Sequence, residues 1–261
     1  MTMVQSRRPI AIGALRAGAS PLAALAEAAE EPYLWQGSSS LRHSQRAGGS
    51  GGDAFDLELA RDSQYAVEWL GQWREPLPTG SPNVDIARWC EQACGDHETP
   101  AWWSIPLAPN VLVTSSAVDQ IPLLLLVNED DWGRENAIVH HVKTPDAAHI
   151  YEIDGPDAWT ALVQRAPMEV TAARGSSWGG SVPGTAWFLP DWSAIAREFD
   201  GVHLSVGGYL DTAGIPLPVD GGMTMLAGMS PDSTVWLRGP LATDSSYRVR
   251  RPGDEWIVVP V

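Results

Sequence analysis

Lysine is almost missing from this chain: among 261 residues only Lys143 is one, against sixteen arginines. Any lysine chemistry would therefore have to use that position. A phosphate-binding loop needs glycines ahead of its lysine, and Ile138 to Val142 contain none. A Schiff-base cofactor would depend on Lys143 alone. No Gly-x-Gly-x-x-Gly follows a strand-like run, which argues against a Rossmann dinucleotide site. Basic charge is also scarce overall, with 17 Lys and Arg facing 32 Asp and Glu for a net charge of −15 and a pI near 4.6. A nucleic-acid backbone or an anionic membrane surface is not the partner such a charge favours. No apolar run approaches the ~20 residues that a membrane-crossing helix requires.

Cysteine is limited to Cys90 and Cys94. Asn83 to Cys94 reads as a short helix stopped at Gly95, with Ile86, Trp89, Cys90 and Ala93 on one face. Four residues apart on a helix is a poor geometry for a disulfide. With His97 the pair spells Cys-x3-Cys-x2-His, a partial metal-ligand spacing, but no fourth ligand is evident. Two small hydrophobes beside a core Trp are the simpler reading.

What is abundant is glycine (25), proline (21) and tryptophan (13, against three Phe). Many Gly and Pro imply short elements and frequent turns. The Trp residues imply large buried rings and an aromatic-lined cleft. At the N-terminus, Ser6-Arg7-Arg8-Pro9 followed by Ile10, Ala11 and Ile12 resembles a twin-arginine export signal, with Ala24-Leu25-Ala26 as a cleavage site. Arg16 interrupts the apolar stretch and Pro21 shortens it, and residues 21–30 serve equally as an amphipathic helix capped by Ser20. The cytoplasm is the expected compartment and export the alternative.

Residues 37–53 are rich in Ser and Gly and read as a flexible linker, so the expected organisation is an N-terminal segment over 1–53 and one domain over 54–261. Residues 53–73 form the longest helical pattern, stopped by Pro76 and Pro78. Beyond Cys94 the pattern changes to strands: 111–114, 121–127, 137–142, 149–153, 202–206, 223–226, 233–238 and 255–259. One phrase occurs twice, at 150–165 and 187–199: a strand, a Pro-Asp turn, then a helix carrying Trp in its first turn. The expected class is α+β, with a mixed or largely antiparallel sheet of short strands and helices concentrated in the N-terminal part.

The phrases Tyr151-Glu-Ile-Asp154, Pro190-Asp-Trp-Ser-Ala-Ile-Ala196, Asp200-Gly-Val-His-Leu-Ser205 and Pro231-Asp-Ser-Thr-Val-Trp-Leu237 resemble a family of uncharacterised actinobacterial proteins. The resemblance spans about residues 149–237, a third of the chain. It implies a genuine domain and assigns it no particular function.

Three constellations carry chemistry. Gly175-Ser-Ser177-Trp-Gly179 matches the nucleophile-elbow pattern Gly-x-Ser-x-Gly, which exposes a serine at a strand-to-helix turn. The helix side is weak, because Gly180, Pro183 and Gly184 follow, and only His203 lies downstream to act as base; a mobile Gly/Ser loop is the plain reading. On a strand through 200–206, His203 and Ser205 share one face, with Val202, Leu204 and Val206 on the other. Asp232 enters the strand 233–238, where it either stabilises a developing cation or accepts backbone hydrogen bonds in a turn. Arg174 is a candidate anchor for a phosphate or carboxylate. Ser177, Trp178, Tyr209 and Trp236 complete a candidate substrate-binding set around Asp232, His203 and Ser205. Two functions fit. One is an enzyme of group transfer or hydrolysis on a small nucleotide-like substrate, analogous to ADP-ribosyl transfer with NAD as substrate; a serine hydrolase using Ser177 is a lesser variant. The other is an acidic binding protein of immunity or antitoxin type that neutralises a basic protein partner.

Overall fold

The computed structural model describes residues 32–35, 80–95, 103–106, 108, 110–126, 136–143, 145, 147–178, 184–239, 241–253 and 255–259. The candidate export signal, the linker, the division at residue 53, the helix expected over 53–73 and His97 lie outside the described residues. Among those described the protein is α+β, built on a nine-stranded sheet.

Eight strands follow the order β13 (Ile257–Val258), β12 (Ala242–Arg250), β4 (Asn136–Lys143), β1 (Pro32–Trp35), β2 (Leu112–Val118), β11 (Ser233–Trp236), β8 (Gly201–Leu204), β5 (Ile150–Ile153). The ninth, β3 (Ile121–Pro122), pairs with β2. Every pairing is antiparallel except β5 with β8. That parallel pair needs a long crossover, and residues 154–200 provide it. They contain α3 (Pro156–Arg165), β6 (Pro167–Glu169), α4 (Thr171–Trp178), β7 (Phe188–Pro190) and α5 (Trp192–Glu198), with β6 and β7 forming a separate antiparallel pair. α6 (Val206–Thr212) follows β8, and β9 (Leu217–Val219) and β10 (Gly222–Thr224) form a hairpin turned at Asp220–Gly221, where Gly221 has φ +84°.

The repeated strand, Pro-Asp turn and helix is real in both places. Pro156 opens α3, with Asp157 in its first turn, and Trp159, Leu162 and Val163 face the core at helical spacing. In α5 Asp191 is the N-cap, its carboxylate accepting from the Ser193 and Ala194 N–H groups at 2.9 and 3.1 Å. Farther upstream α1 (Asn83–Ala93) buries Ile86, Trp89, Cys90 and Ala93, the face its sequence spacing predicts. One expected strand is mostly helix. Only Ile121 and Pro122 pair, and α2 (Leu123–Leu126) follows. Pro122 has no N–H to extend a ladder, and the Leu124 N–H is taken by Ser115 Oγ at 3.2 Å. Five of the six described helices lie beyond residue 122.

One face of the sheet is core. Val113, Val139, Ile153, Val202, Leu204 and Val235 alternate inward and are buried with Trp159, Leu162, Trp192 and Ile195 of the covering helices. Trp indoles are anchored there by polar contacts: Trp159 Nε1 donates to Thr224 Oγ1 (3.2 Å) and Trp192 Nε1 to the Ser104 carbonyl (2.9 Å). No helix among the described residues is long and apolar enough to cross a membrane.

Candidate functional site

The opposite face carries polar side chains. Strand register sets Glu152 of β5 directly beside His203 of β8, His203 beside Thr234 of β11, and Thr234 beside Thr114 of β2. The reason is the period of two: with Ile153, Val202, Leu204 and Val235 committed to the core, their neighbours in sequence must point away from it.

His203 is the centre of this row. Its Nδ1 lies 2.7 and 2.8 Å from the two carboxylate oxygens of Glu152, and its Nε2 lies 3.6 Å from Asp232 Oδ1. The second contact has ion-pair distance, longer than a hydrogen bond. Asp232 is itself held by the neighbouring strand, since its Oδ2 accepts the Ser116 N–H at 2.9 Å. Asp232 sits at φ +54°, the left-handed region that Asp and Asn enter more readily than other non-glycine residues. That conformation turns its carboxylate back toward the β2–β11 boundary.

Burial alone would push the His203 imidazole toward the neutral form. The Asp232 and Glu152 carboxylates outweigh it and lift the pKa to about 9 from an ordinary 6.5. Asp232 matters despite its greater distance because its side chain is only 13 % exposed, against 49 % for Glu152. At neutral pH the ring is an imidazolium donating toward a carboxylate on each side. It is a charged clamp, not a free base. His140, on β4 of the same sheet, is in the opposite condition, with its pKa lowered by burial.

The other sequence candidates divide around this cluster. Ser205 does not share the strand face with His203, because β8 ends at Leu204. It is the N-cap of α6: its hydroxyl accepts the Gly208 N–H at 2.9 Å and lies 3.4 Å from the Ile153 carbonyl. Extended backbone followed by a helix start overrode simple alternation. The elbow pattern is also displaced. Gly175 to Trp178 form the last turn of α4, so a helix precedes Ser177 instead of starting after it. Arg174 lies within the fold at 1 % exposure, with burial lowering its pKa to about 10, so an anion arriving from solvent does not meet it. Trp178 is equally buried and packs edge-to-face on Trp187, centroids 5.5 Å apart. Trp236 is buried too, its Nε1 donating to Thr114 Oγ1 at 2.9 Å. Tyr209 is half-buried on α6 against the core.

Glu152 is the residue that sequence reasoning missed. Its signal was the alternation Ile150-Tyr-Glu-Ile153, which sets it outward on a strand, but nothing local identifies His203 as its parallel neighbour. Among the described residues no group of three His, Cys, Asp or Glu side chains is arranged to hold a metal ion. Comparison with protein-family models, with curated proteins and with solved structures gave no match to this chain.

Proposed function

We propose that this protein is an enzyme of group transfer or hydrolysis, acting on a small nucleotide-like substrate through a transition state with cationic character. One observation carries the reading: an imidazolium held between two carboxylates on a polar sheet face, with Glu152 open to solvent. In this scheme Glu152 faces the developing positive charge and Asp232 reinforces it. His203 is the positioning residue, fixing the Glu152 carboxylate so that little reorganisation is needed as charge develops. Ser205 and Arg174 take no part in it, being committed to a helix cap and to the interior. With Ser177 at the end of a helix, the serine-hydrolase variant loses the turn its chemistry requires.

NAD is the first substrate to test, because cleavage of its glycosidic bond passes through a cation that a carboxylate stabilises. The measurement is nicotinamide release by the purified protein, with Glu152→Gln as control. Turnover that falls about a hundredfold in the folded variant supports the reading. Absence of both NAD turnover and any rise in melting temperature with NAD or other nucleotides would overturn it. The net charge of −15 favours a second reading, an acidic binder of a basic protein. Its signature is a partner captured at low ionic strength and released by salt.

A further inference from the structure

A hollow lies away from the His203 cluster, between α1 and α5. Its volume is about 460 Å³, within the range that holds small organic ligands. The floor is apolar, made by Ile86 and Ala87 of α1 and Ala196 of α5, while Ser193, Arg197 and Arg238 stand around it. Asp232 and Arg238 flank opposite ends of β11, so the two places are separated by the length of that strand.

The charge here runs against the rest of the molecule. Acidic residues outnumber basic ones almost two to one, yet both ionisable residues lining this hollow are arginines. They are held differently. Arg238 is fixed: its Nε donates to the Ala196 carbonyl (2.7 Å), Nη1 to Asp200 Oδ1 (2.9 Å), and Nη2 to the Arg197 carbonyl. That engages part of its fork and leaves one hydrogen on each terminal nitrogen. The Arg197 side chain is exposed on the last turn of α5, and among the described residues it makes neither an ion pair nor a hydrogen bond. One Asp against two guanidiniums leaves a local positive excess beside an apolar floor.

We propose that this hollow is a binding site for a small carboxylate with an apolar chain. The apolar part lies on Ala87 and Ala196, over the buried Ile86, and the carboxylate is met by Arg238, already oriented, and by Arg197, which closes onto it. Guanidinium donors suit a carboxylate because two parallel N–H bonds match its two oxygens. The floor selects against small hydrophilic anions, which would leave it in water.

Calorimetric titration of the full chain with octanoate and with its neutral analogue octanamide tests this. Octanoate is expected to bind, and octanamide to bind at least about tenfold more weakly, the loss of one charge-assisted contact. Arg197→Gln should weaken octanoate by a similar factor. Its side chain makes neither an ion pair nor a hydrogen bond among the described residues, so the melting temperature should stay close to the parent's. Ala87→Trp, at an exposed helix position, should fill the hollow and abolish binding. Glu152→Gln should leave octanoate affinity unchanged, which separates this site from the proposed catalytic one. Absence of octanoate binding, equal affinity for octanamide, or an Arg197→Gln variant that binds as the parent does would each overturn the proposal.

Discussion

Glu152 and His203 face each other across the one parallel strand pair that the sheet shows among the described residues, with both carboxylate oxygens of Glu152 within 2.8 Å of a single ring nitrogen. They are fifty-one residues apart in sequence. The crossover between them carries α3, α4, α5 and the β6–β7 pair, and its Trp-rich inner face is what closes β5 onto β8. Core packing on one side of the sheet thus creates the charged pair on the other.

The first consequence is a pH dependence of stability. His203 has a folded-state pKa raised to about 9 from 6.5. Protons bound in the folded state but not in the unfolded one stabilise the fold, so the contribution is complete below about 6.5 and disappears as pH rises through about 9. His203→Gln should cost roughly 1–3 kcal/mol at pH 6, progressively less as pH rises from about 6.5, and little above about 9; the value should fall nearer the low end because Glu152 is half exposed. Denaturant titrations of both proteins across that range measure the difference. A side-chain NMR titration should give a His203 midpoint well above 6.5, lowered in Glu152→Gln.

Asp232 has two duties that two substitutions separate. It accepts the Ser116 N–H and it tolerates φ +54°. Asp232→Asn keeps an acceptor and a residue suited to that backbone, so above about pH 9 its melting temperature should stay close to the parent's; the His203 midpoint should fall, and with it the stabilisation at lower pH. Asp232→Ala leaves the Ser116 N–H without its partner and places Ala in the left-handed region. Its expected cost is about 2–3 kcal/mol by chemical denaturation.

Ser205 and Gly208 should behave as structural residues. Ser205→Ala removes the α6 cap and should cost about 1 kcal/mol without changing any ligand affinity at the His203 cluster. Gly208 is stricter. A Cβ there would stand 2.1 Å from the Ile153 carbonyl oxygen, so Gly208→Ala must push α6 off the end of β5. It should destabilise far more than Ser205→Ala, and thermal melts of the two variants give the comparison.

The legible parts of this fold were those decided by local pattern. The α1 face of Ile86, Trp89, Cys90 and Ala93 follows helical spacing, and the α3 and α5 starts follow Pro and Asp at helix N-termini. His203 and Asp232 could be singled out because each stood outward or at the entrance of a strand. What stayed hidden depends on neighbours distant in the chain. Glu152 gains its meaning only from the parallel register with β8, and Arg174 and Trp178 from how α4 packs inward. Ser205 was misread because the same polar residue serves a strand face or a helix cap, and a two-glycine sequence after it gave no helical warning.

The cysteines offer a last test, one that asks whether α1 and α5 pack as described. Cys90 is buried, its Sγ 3.8 Å from Asp191 Oδ1 and 3.7 Å from Ser193 Oγ, and burial chiefly raises its thiol pKa. Cys94, at the end of the helix, is exposed. Thiolate is the reactive form, so desolvation and restricted access both slow Cys90. A chromogenic disulfide reagent should therefore titrate one thiol quickly in the native protein and both in denaturant. Cys94→Ser should remove the fast phase, leaving a slow phase whose rate follows the opening of α1 from α5. Two thiols reacting at one rate in the native protein would mean that the α1–α5 interface, and with it the hollow above Ile86, does not form as described.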